Sequence, residues 1–313
     1  MPRRLIHITL LSALLAACET DPDIYIDSAP QPVIFGVINA SDSVHYLKVG
    51  RTFGARSNPR ESVGIFDSLY FPEVQVEVNS GRVVVERVTD IPKDSGLFLA
   101  PDQVLYRFAY LHPYRVEVKV KIPGLPEARA RTDVVRITRL TTPIDAQMYF
   151  YLVPTSPIRV HWDGNPWNEI DVRFEIIEIL DEVPRSRWVH IQNKNFYMSA
   201  HALYREMSIT YEEFLTALSQ QLPRDPDVDR RRFGNIRIEI NGGDANMVSY
   251  IRYYNGYTDF NTLGYTNVTN GIGVLASRCS FIKDSMHFDY HTIQGFLAET
   301  RMRYLKLDPY QEK

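Results

Sequence analysis

The chain has 313 residues, and its formal net charge of −3 argues against nucleic acid as a partner, because nucleic acid rewards clustered lysine and arginine. Hydrophobic residues make up 44% of the chain, so substantial cores can form, and the length favours two domains. The 19 tyrosines and 15 phenylalanines are typical of β-rich proteins whose strands carry aromatic residues on a half-buried face. Composition therefore predicts a mainly β protein that does not bind nucleic acid.

The first residues have the layout of a secretory signal. Residues 1–4 are basic, and the apolar run over residues 5–17 is shorter than the roughly 20 residues that a membrane-spanning helix needs. The run ends in Leu15-Ala16-Ala17-Cys18, which resembles the bacterial lipobox, where the cysteine thiol accepts a diacylglycerol and the chain is cut before it. We predict a signal peptide over residues 1–17 and a lipid anchor on Cys18.

The residues that follow Cys18 bear on where the protein is displayed. Residues 18–31 are polar and contain two prolines, Pro22 and Pro30, which predicts a tether between the lipid and the folded body. The acidic residues Glu19, Asp21 and Asp23 resemble the tag that Bacteroidota use to move lipoproteins to the outer face of the outer membrane. An ordinary solvated tether has the same composition. The prediction is an outer-membrane location, lipid-anchored and facing the cell exterior.

Short strand patterns separated by turn signals fill residues 32–140. Residues 114–121 show the pattern most clearly, because Val116, Val118 and Val120 alternate with charged side chains. Several short strands at this spacing, without a helical period, predict an immunoglobulin-like β-sandwich. The predicted strands are 32–39, 45–53, 74–78, 82–88, 103–109, 114–121 and 129–137.

Residues 141–313 are predicted to form a second sandwich that carries a helical insertion. Trp162, followed by a turn and a long alternating strand over residues 170–180, resembles the start of a fibronectin III-like domain. A capping box at Thr210 and Glu213, followed by an apolar stripe at helical spacing, predicts a helix near residues 210–222. Further strands are predicted over residues 235–241 and 248–254.

An aromatic-rich stretch over residues 250–265 is a candidate ligand site. Its candidate residues are Tyr253, Tyr254, Tyr257 and Phe260, whose rings suit a peptide or a sugar. The same residues also fit strand aromatics that pack a core, so both interpretations stay open here.

A second candidate is the motif His287-x-Asp289-x-His291, which offers imidazole and carboxylate ligands to a metal ion. On a strand the three side chains would share a face, and on a helix the two histidines would lie one turn apart. Histidines on the surface or at a strand edge are the alternative. The sequence has no G-x-S-x-G elbow and no phosphate-binding glycine loop, and Cys279 lies in a strand-like run typical of a buried thiol. We therefore predict a protein that is not an enzyme and has no cofactor.

The segment Asn270-Gly271-Ile272-Gly273 predicts a structural turn, because two glycines around one apolar residue imply backbone angles or close approaches that a side chain would obstruct. Together with the lipobox and the opening strand over residues 32–38, the run over residues 267–275 resembles the lipoprotein family called domain of unknown function 4249. That family usually has an aromatic residue near Leu275, and this chain departs from it there.

The resemblance implies an outer-membrane lipoprotein of the kind often encoded near TonB-dependent transporters, and it implies no catalytic residues. The leading hypothesis is a non-enzymatic lipoprotein that is held by membrane lipid through Cys18. It would act as a binding or accessory subunit, with a β-barrel transporter as its partner. Two alternatives remain at this point: a metal-dependent hydrolase that uses His287, Asp289 and His291, and a glycan-binding module.

Overall fold

The computed structural model describes residues 29–52, 65–89, 91, 103–109, 114–136, 138–144, 146–196, 204–254 and 264–308. The predicted lipidation site Cys18 and the aromatic residues Tyr257 and Phe260 lie outside these ranges. Strands account for 52% and helices for 18% of the structure, so the predicted mainly β class is confirmed. None of the helices in the described ranges is both long and apolar enough to cross a bilayer.

The described residues form sixteen strands and four α-helices. The strands are β1 Pro32–Asn39, β2 Val44–Arg51, β3 Gln75–Val78, β4 Val85–Val88, β5 Leu105–Ala109, β6 Arg115–Lys121, β7 Ala128–Asp133, β8 Leu140–Thr142, β9 Tyr149–Phe150, β10 Ile158–Asp163, β11 Trp167–Leu180, β12 Val183–Phe196, β13 Tyr204–Ile209, β14 Arg230–Gly243, β15 Val268–Thr269 and β16 Ile272–Phe288. The helices are α1 Phe66–Leu69, α2 Tyr211–Gln221, α3 Ala245–Tyr254 and α4 Tyr290–Ala298, with short 3-10 segments at Asn79–Gly81 and Thr300–Leu305.

These strands build one large sheet and two small ones. The large sheet has nine strands within the described residues, in the order β12-β11-β14-β16-β1-β2-β5-β4, with β9 beside the end of β16. The small sheets have the orders β15-β7-β6-β3 and β13-β10-β8. The 17-residue strand β16 pairs with β1 in parallel along its first half and with β14 in antiparallel along its second half. One continuous sheet therefore runs through both halves of the molecule.

Two hydrophobic cores lie against this large sheet. The first is lined by β1, β2 and β5 on one side and by β3, β6 and β7 on the other, and it also takes Val268 and Leu275 from late in the chain. The second surrounds Trp162 and Phe174 and is closed by α2, α4 and the last 3-10 segment. The predicted first domain ends at residue 140, yet β15 and the start of β16 also pack on the first core. A boundary at residue 140 therefore separates these two segments from the core to which they belong. The closer likeness to immunoglobulin and fibronectin III domains stays a prediction.

The helical elements agree with the sequence in one place and differ in another. The predicted helix is α2, where the Thr210 hydroxyl accepts a hydrogen bond from the Glu213 amide and the Glu213 carboxylate accepts one from the Thr210 amide. The strand predicted over residues 248–254 is wrong, because these residues belong to α3. Asp244 explains the difference: its carboxylate accepts a hydrogen bond from the Met247 amide at 2.9 Å, as an N-cap does.

The charged composition of residues 223–232 predicts a loop, but Arg230, Arg231 and Arg232 at its end are the first residues of β14, and Arg231 is fully buried. The Arg231 guanidinium donates to one Glu178 oxygen at 2.8 and 3.0 Å and to the carbonyls of Leu305 and Pro223 at 3.3 Å. The other Glu178 oxygen accepts from Arg187 at 3.2 Å. A buried ion pair is tolerated only when its remaining hydrogen-bonding groups also have partners, and the Leu305 and Pro223 carbonyls and Arg187 supply them here.

The turn before β16 depends on the absence of side chains. Asn270 has a φ of 56° and Gly273 a φ of 120°, a region that L side chains rarely adopt. A Cβ on Gly273 would lie 1.9 Å from the Ile34 carbonyl oxygen, and one on Gly271 would lie 2.7 Å from the Pro32 carbonyl oxygen. Because Ile34 and Gly273 are register partners, these glycines permit the close approach of β16 to β1.

We expect Gly273→Ala to lower the free energy of unfolding by about 3 kcal/mol or more, since the new methyl group meets backbone that cannot move aside and the φ angle is strained. Urea unfolding followed by circular dichroism measures the change. Gly295→Ala in α4 is the matched control: nothing lies within 4 Å of its Cβ. A helical glycine-to-alanine change should stabilise by up to about 1 kcal/mol. Equal stability of the two variants would contradict the close approach.

Candidate functional site

The predicted aromatic ligand site is only partly within the described residues. Tyr253 and Tyr254 lie in α3, where the Tyr253 hydroxyl accepts a hydrogen bond from the Gly264 amide at 2.9 Å. Tyr250 packs edge-on against Phe35 of β1, with ring centroids 5.9 Å apart. These two contacts hold the helix against neighbouring backbone and sheet. Ligand binding by Tyr253, Tyr254, Tyr257 and Phe260 stays a prediction.

The histidine motif spans a strand-to-helix junction, so neither regular geometry applies to it. His287 lies in β16, Asp289 is the N-cap of α4, and His291 is the second residue of that helix. The Asp289 carboxylate accepts a hydrogen bond from the Thr292 amide at 2.8 Å and so serves the helix. Within the part of the chain that the structure describes, no three His, Cys, Asp or Glu side chains form a group that could hold a metal ion.

The two histidines instead belong to an exposed aromatic surface, which we call the tyrosine–histidine face: Tyr149, Tyr151, His287, Tyr290 and His291. It forms because β9 runs parallel to the end of β16, with Tyr149 opposite His287 and Phe150 opposite Phe288. Side chains alternate along a strand, so both phenylalanines point into the second core and are 3% exposed. Tyr149 and Tyr151, on the opposite side of this segment, are 60% and 49% exposed, and Tyr290, the first residue of α4, is 68% exposed.

Ring contacts tie the histidines to the tyrosines. The Tyr149 and His287 ring centroids are 6.3 Å apart, and those of Tyr290 and His291 are 5.9 Å apart at an interplanar angle of 74°. Each ring combines an apolar face with a polar edge. The arrangement therefore offers flat stacking surfaces together with hydrogen-bonding groups, as a binding surface requires.

Backbone hydrogen bonds fix this surface in place. The His287 amide donates to the Met148 carbonyl at 2.8 Å, and the Asp289 amide donates to the Phe150 carbonyl at 2.9 Å. The Leu152 amide donates to the buried Thr292 hydroxyl of α4 at 2.8 Å. Behind the surface, the Phe288 ring stacks on Phe174 at 5.6 Å. The strand, the helix and the core thus hold the face as one rigid unit.

Sequence analysis missed Tyr149, Tyr151 and Tyr290. The local signal was present, because tyrosines alternate with apolar residues over residues 149–152, but the partner strand lies about 140 residues further along the chain. Nothing in one sequence indicates that these two segments pair.

A second polar cluster joins the two halves of the molecule at Asp244, which is 6% exposed. Its carboxylate accepts hydrogen bonds from the Thr132 hydroxyl at 2.5 Å and from the side-chain amide Nδ2 of Asn246 at 3.0 Å, and its own backbone amide donates to the Ser277 carbonyl at 3.1 Å. Burial raises the pKa of Asp244 above its ordinary value of 3.8, although these hydrogen bonds act in the opposite direction. The cluster connects β7, α3 and β16.

A further network lies on the outer face of the large sheet in the second half. The Asp171 carboxylate accepts from Arg173 at 2.6 Å and lies 3.0 Å from His190 Nδ1. The backbone of His190, on strand β12, donates to the Gln221 side chain at 2.9 Å and accepts from it at 2.7 Å. These contacts fasten β11, β12 and the end of α2 together.

Comparison with known proteins adds no assignment. No protein-family model matches the chain, and neither a curated protein nor a solved structure matches it. The resemblance to the lipoprotein family therefore stays a prediction that rests on the residues quoted for it.

The raised pKa of Asp244 predicts a pH dependence of stability. The folded protein binds this proton more tightly than the unfolded chain, so the contribution is complete below pH 3.8 and is lost as the pH rises through the folded-state pKa. We expect the free energy of unfolding of the wild type, relative to Asp244→Asn, to fall as the pH rises from 3.8 through the raised folded-state pKa. Urea unfolding at a series of pH values measures it.

Asp284→Asn is the matched control for this experiment. Arg237 lies 2.6 Å from Asp284 and lowers the pKa of that carboxyl, so its contribution is present above the unfolded pKa and is lost as the pH falls. The free energy of unfolding of the wild type, relative to Asp284→Asn, should therefore rise with pH instead of falling. A pH-independent difference between the wild type and Asp244→Asn would refute the assignment.

Proposed function

We propose that this protein is a lipid-anchored, non-enzymatic binding subunit at the outer membrane, facing the cell exterior, and that it serves a TonB-dependent transporter as an accessory. The observation that carries the anchor is Leu15-Ala16-Ala17-Cys18 at the end of a basic and apolar leader. The acidic residues after Cys18 and the resemblance to the lipoprotein family support the location and the partner. The accessory role rests on that resemblance.

The structure supports a binding role for the body that follows the tether. From Cys18 to Pro32 there are fourteen residue steps, so a fully extended tether reaches about 50 Å. The body is two cores on one continuous sheet, and we propose that they are immunoglobulin-like and fibronectin III-like sandwiches. Such a body presents rigid surfaces, and the tyrosine–histidine face is one with exposed rings.

The anchor is tested by Cys18→Ser. We expect this variant to lose incorporation of labelled palmitate and to move from the membrane pellet to the soluble fraction, because serine offers no thiolate for alkylation. Cys279→Ser is the control, since Cys279 is the other cysteine of the chain and is buried in the body. That variant should keep both the label and the pellet fraction. A Cys18→Ser protein that stays labelled and membrane-bound would sink the proposal.

The accessory role is tested by purification of the anchored protein in mild detergent after cross-linking in cells. We expect a β-barrel outer-membrane protein to be recovered with it in a constant ratio across detergents. Cys18→Ser serves as the control, because release from the membrane should remove the partner. Recovery of the wild type only as a lone monomer in several detergents would count against the accessory role.

A further inference from the structure

We infer that the tyrosine–histidine face is a binding site for a neutral glycan, a hexose or pentose oligomer that stacks on Tyr149, Tyr151 and Tyr290. The inference rests on the proposed function, since it assigns a ligand class to a binding subunit. It concerns other residues than the candidate ligand site predicted over residues 250–265.

The spacing of the rings suits an extended ligand. Tyr149 and Tyr151 lie on the same side of one extended segment, so their Cα atoms are about 6.7 Å apart. Tyr290 begins the helix that follows the neighbouring strand and is 68% exposed. The Asp289 amide donates to the Phe150 carbonyl at 2.9 Å, so the backbone of Tyr290 lies beside that of Tyr151, and a ligand that crosses from the strand to the helix passes all three tyrosines. That arrangement fits a chain of rings better than a single small molecule.

The charge of the surface favours a neutral ligand. The two segments that build it, residues 143–157 and 287–298, contain no lysine or arginine. The Asp289 carboxylate is engaged in capping α4. Phosphorylated or acidic ligands need cationic partners, which these segments do not supply. Sugar rings match because they pair an apolar C–H face with hydroxyl groups.

The polar edges of the face supply matching hydrogen bonds. Tyrosine hydroxyls donate and accept, and a neutral histidine ring offers one donor and one acceptor. His287 and His291 lie beside Tyr149 and Tyr290, so each of these stacking positions has a hydrogen-bonding neighbour. Because the backbone of the face is fixed by the bonds to Met148 and Phe150, little backbone entropy is lost on binding.

The experiment uses the full lipidated chain in detergent, titrated calorimetrically with maltohexaose, cellohexaose, mannohexaose and xylohexaose. We expect at least one of the four to bind. Tyr149→Ala and Tyr290→Ala should each weaken that binding about tenfold, because a stacking ring is lost. Tyr149→Phe keeps the ring and should lose only about two- to threefold. Tyr114→Ala is the matched control: Tyr114 is 94% exposed next to β6 in the other half and should have no effect.

Three results would overturn the inference: no heat with any of the four oligosaccharides, equal binding by the wild type and both alanine variants, or equal losses in Tyr149→Ala and Tyr114→Ala. Cross-linking of a β-barrel partner through Tyr149 or Tyr290 without sugar binding would also overturn it, because the face would then be a protein-docking surface. Palmitate labelling of each variant separates this failure from that of the proposed function, since the face variants should stay lipidated.

Discussion

The pairing of β16 with β1 is the constraint on which the rest of the structure depends. Parallel strands from opposite ends of the chain can pair here only because Gly273 lets the backbone of β16 lie against the Ile34 carbonyl. The first half of β16 then completes the first core with Leu275, and its second half brings Met286 and Phe288 into the second core. One strand therefore couples two cores that would otherwise be separate. A substitution that disrupts this contact should therefore destabilise both cores.

The fold class could be predicted because strand periodicity is local. The alternation of Val116, Val118 and Val120 and the capping box of Thr210 and Glu213 each specify an element within a few residues. The strand prediction over residues 248–254 was wrong because valine, isoleucine and tyrosine favour strands. The Asp244 cap and the packing on β16 stabilise a helix there instead. The loop prediction at the start of β14 was wrong for a related reason, because three arginines in a row are typical of an exposed loop. Arg231 is buried only because Glu178, about 50 residues earlier, neutralises it.

The candidate site also depends on contacts between residues that are far apart in the sequence. The motif of His287, Asp289 and His291 is visible in the sequence, but its chemistry is set by what lies beside it. Asp289 is occupied by capping, and Tyr149 reaches His287 through a strand pairing that no local pattern encodes. A residue pattern shows which side chains are available, whereas tertiary pairing determines whether they act as metal ligands, caps or parts of an aromatic surface. The same holds for Asp244, whose raised pKa follows from burial between two halves.

The contact between the Gln221 side chain and strand β12 bears on how this protein associates with copies of itself. Strand β12 is 14 residues long and is an edge strand of the large sheet in the described residues. An exposed edge strand can pair with a strand of another molecule. The Gln221 carboxamide occupies the outward amide and carbonyl of His190 in the way that another strand would. Pro184 and the neighbouring Arg185 further discourage such pairing. This part of β12 is therefore less able to pair with the same strand of a second copy, which disfavours edge-to-edge growth of the sheet.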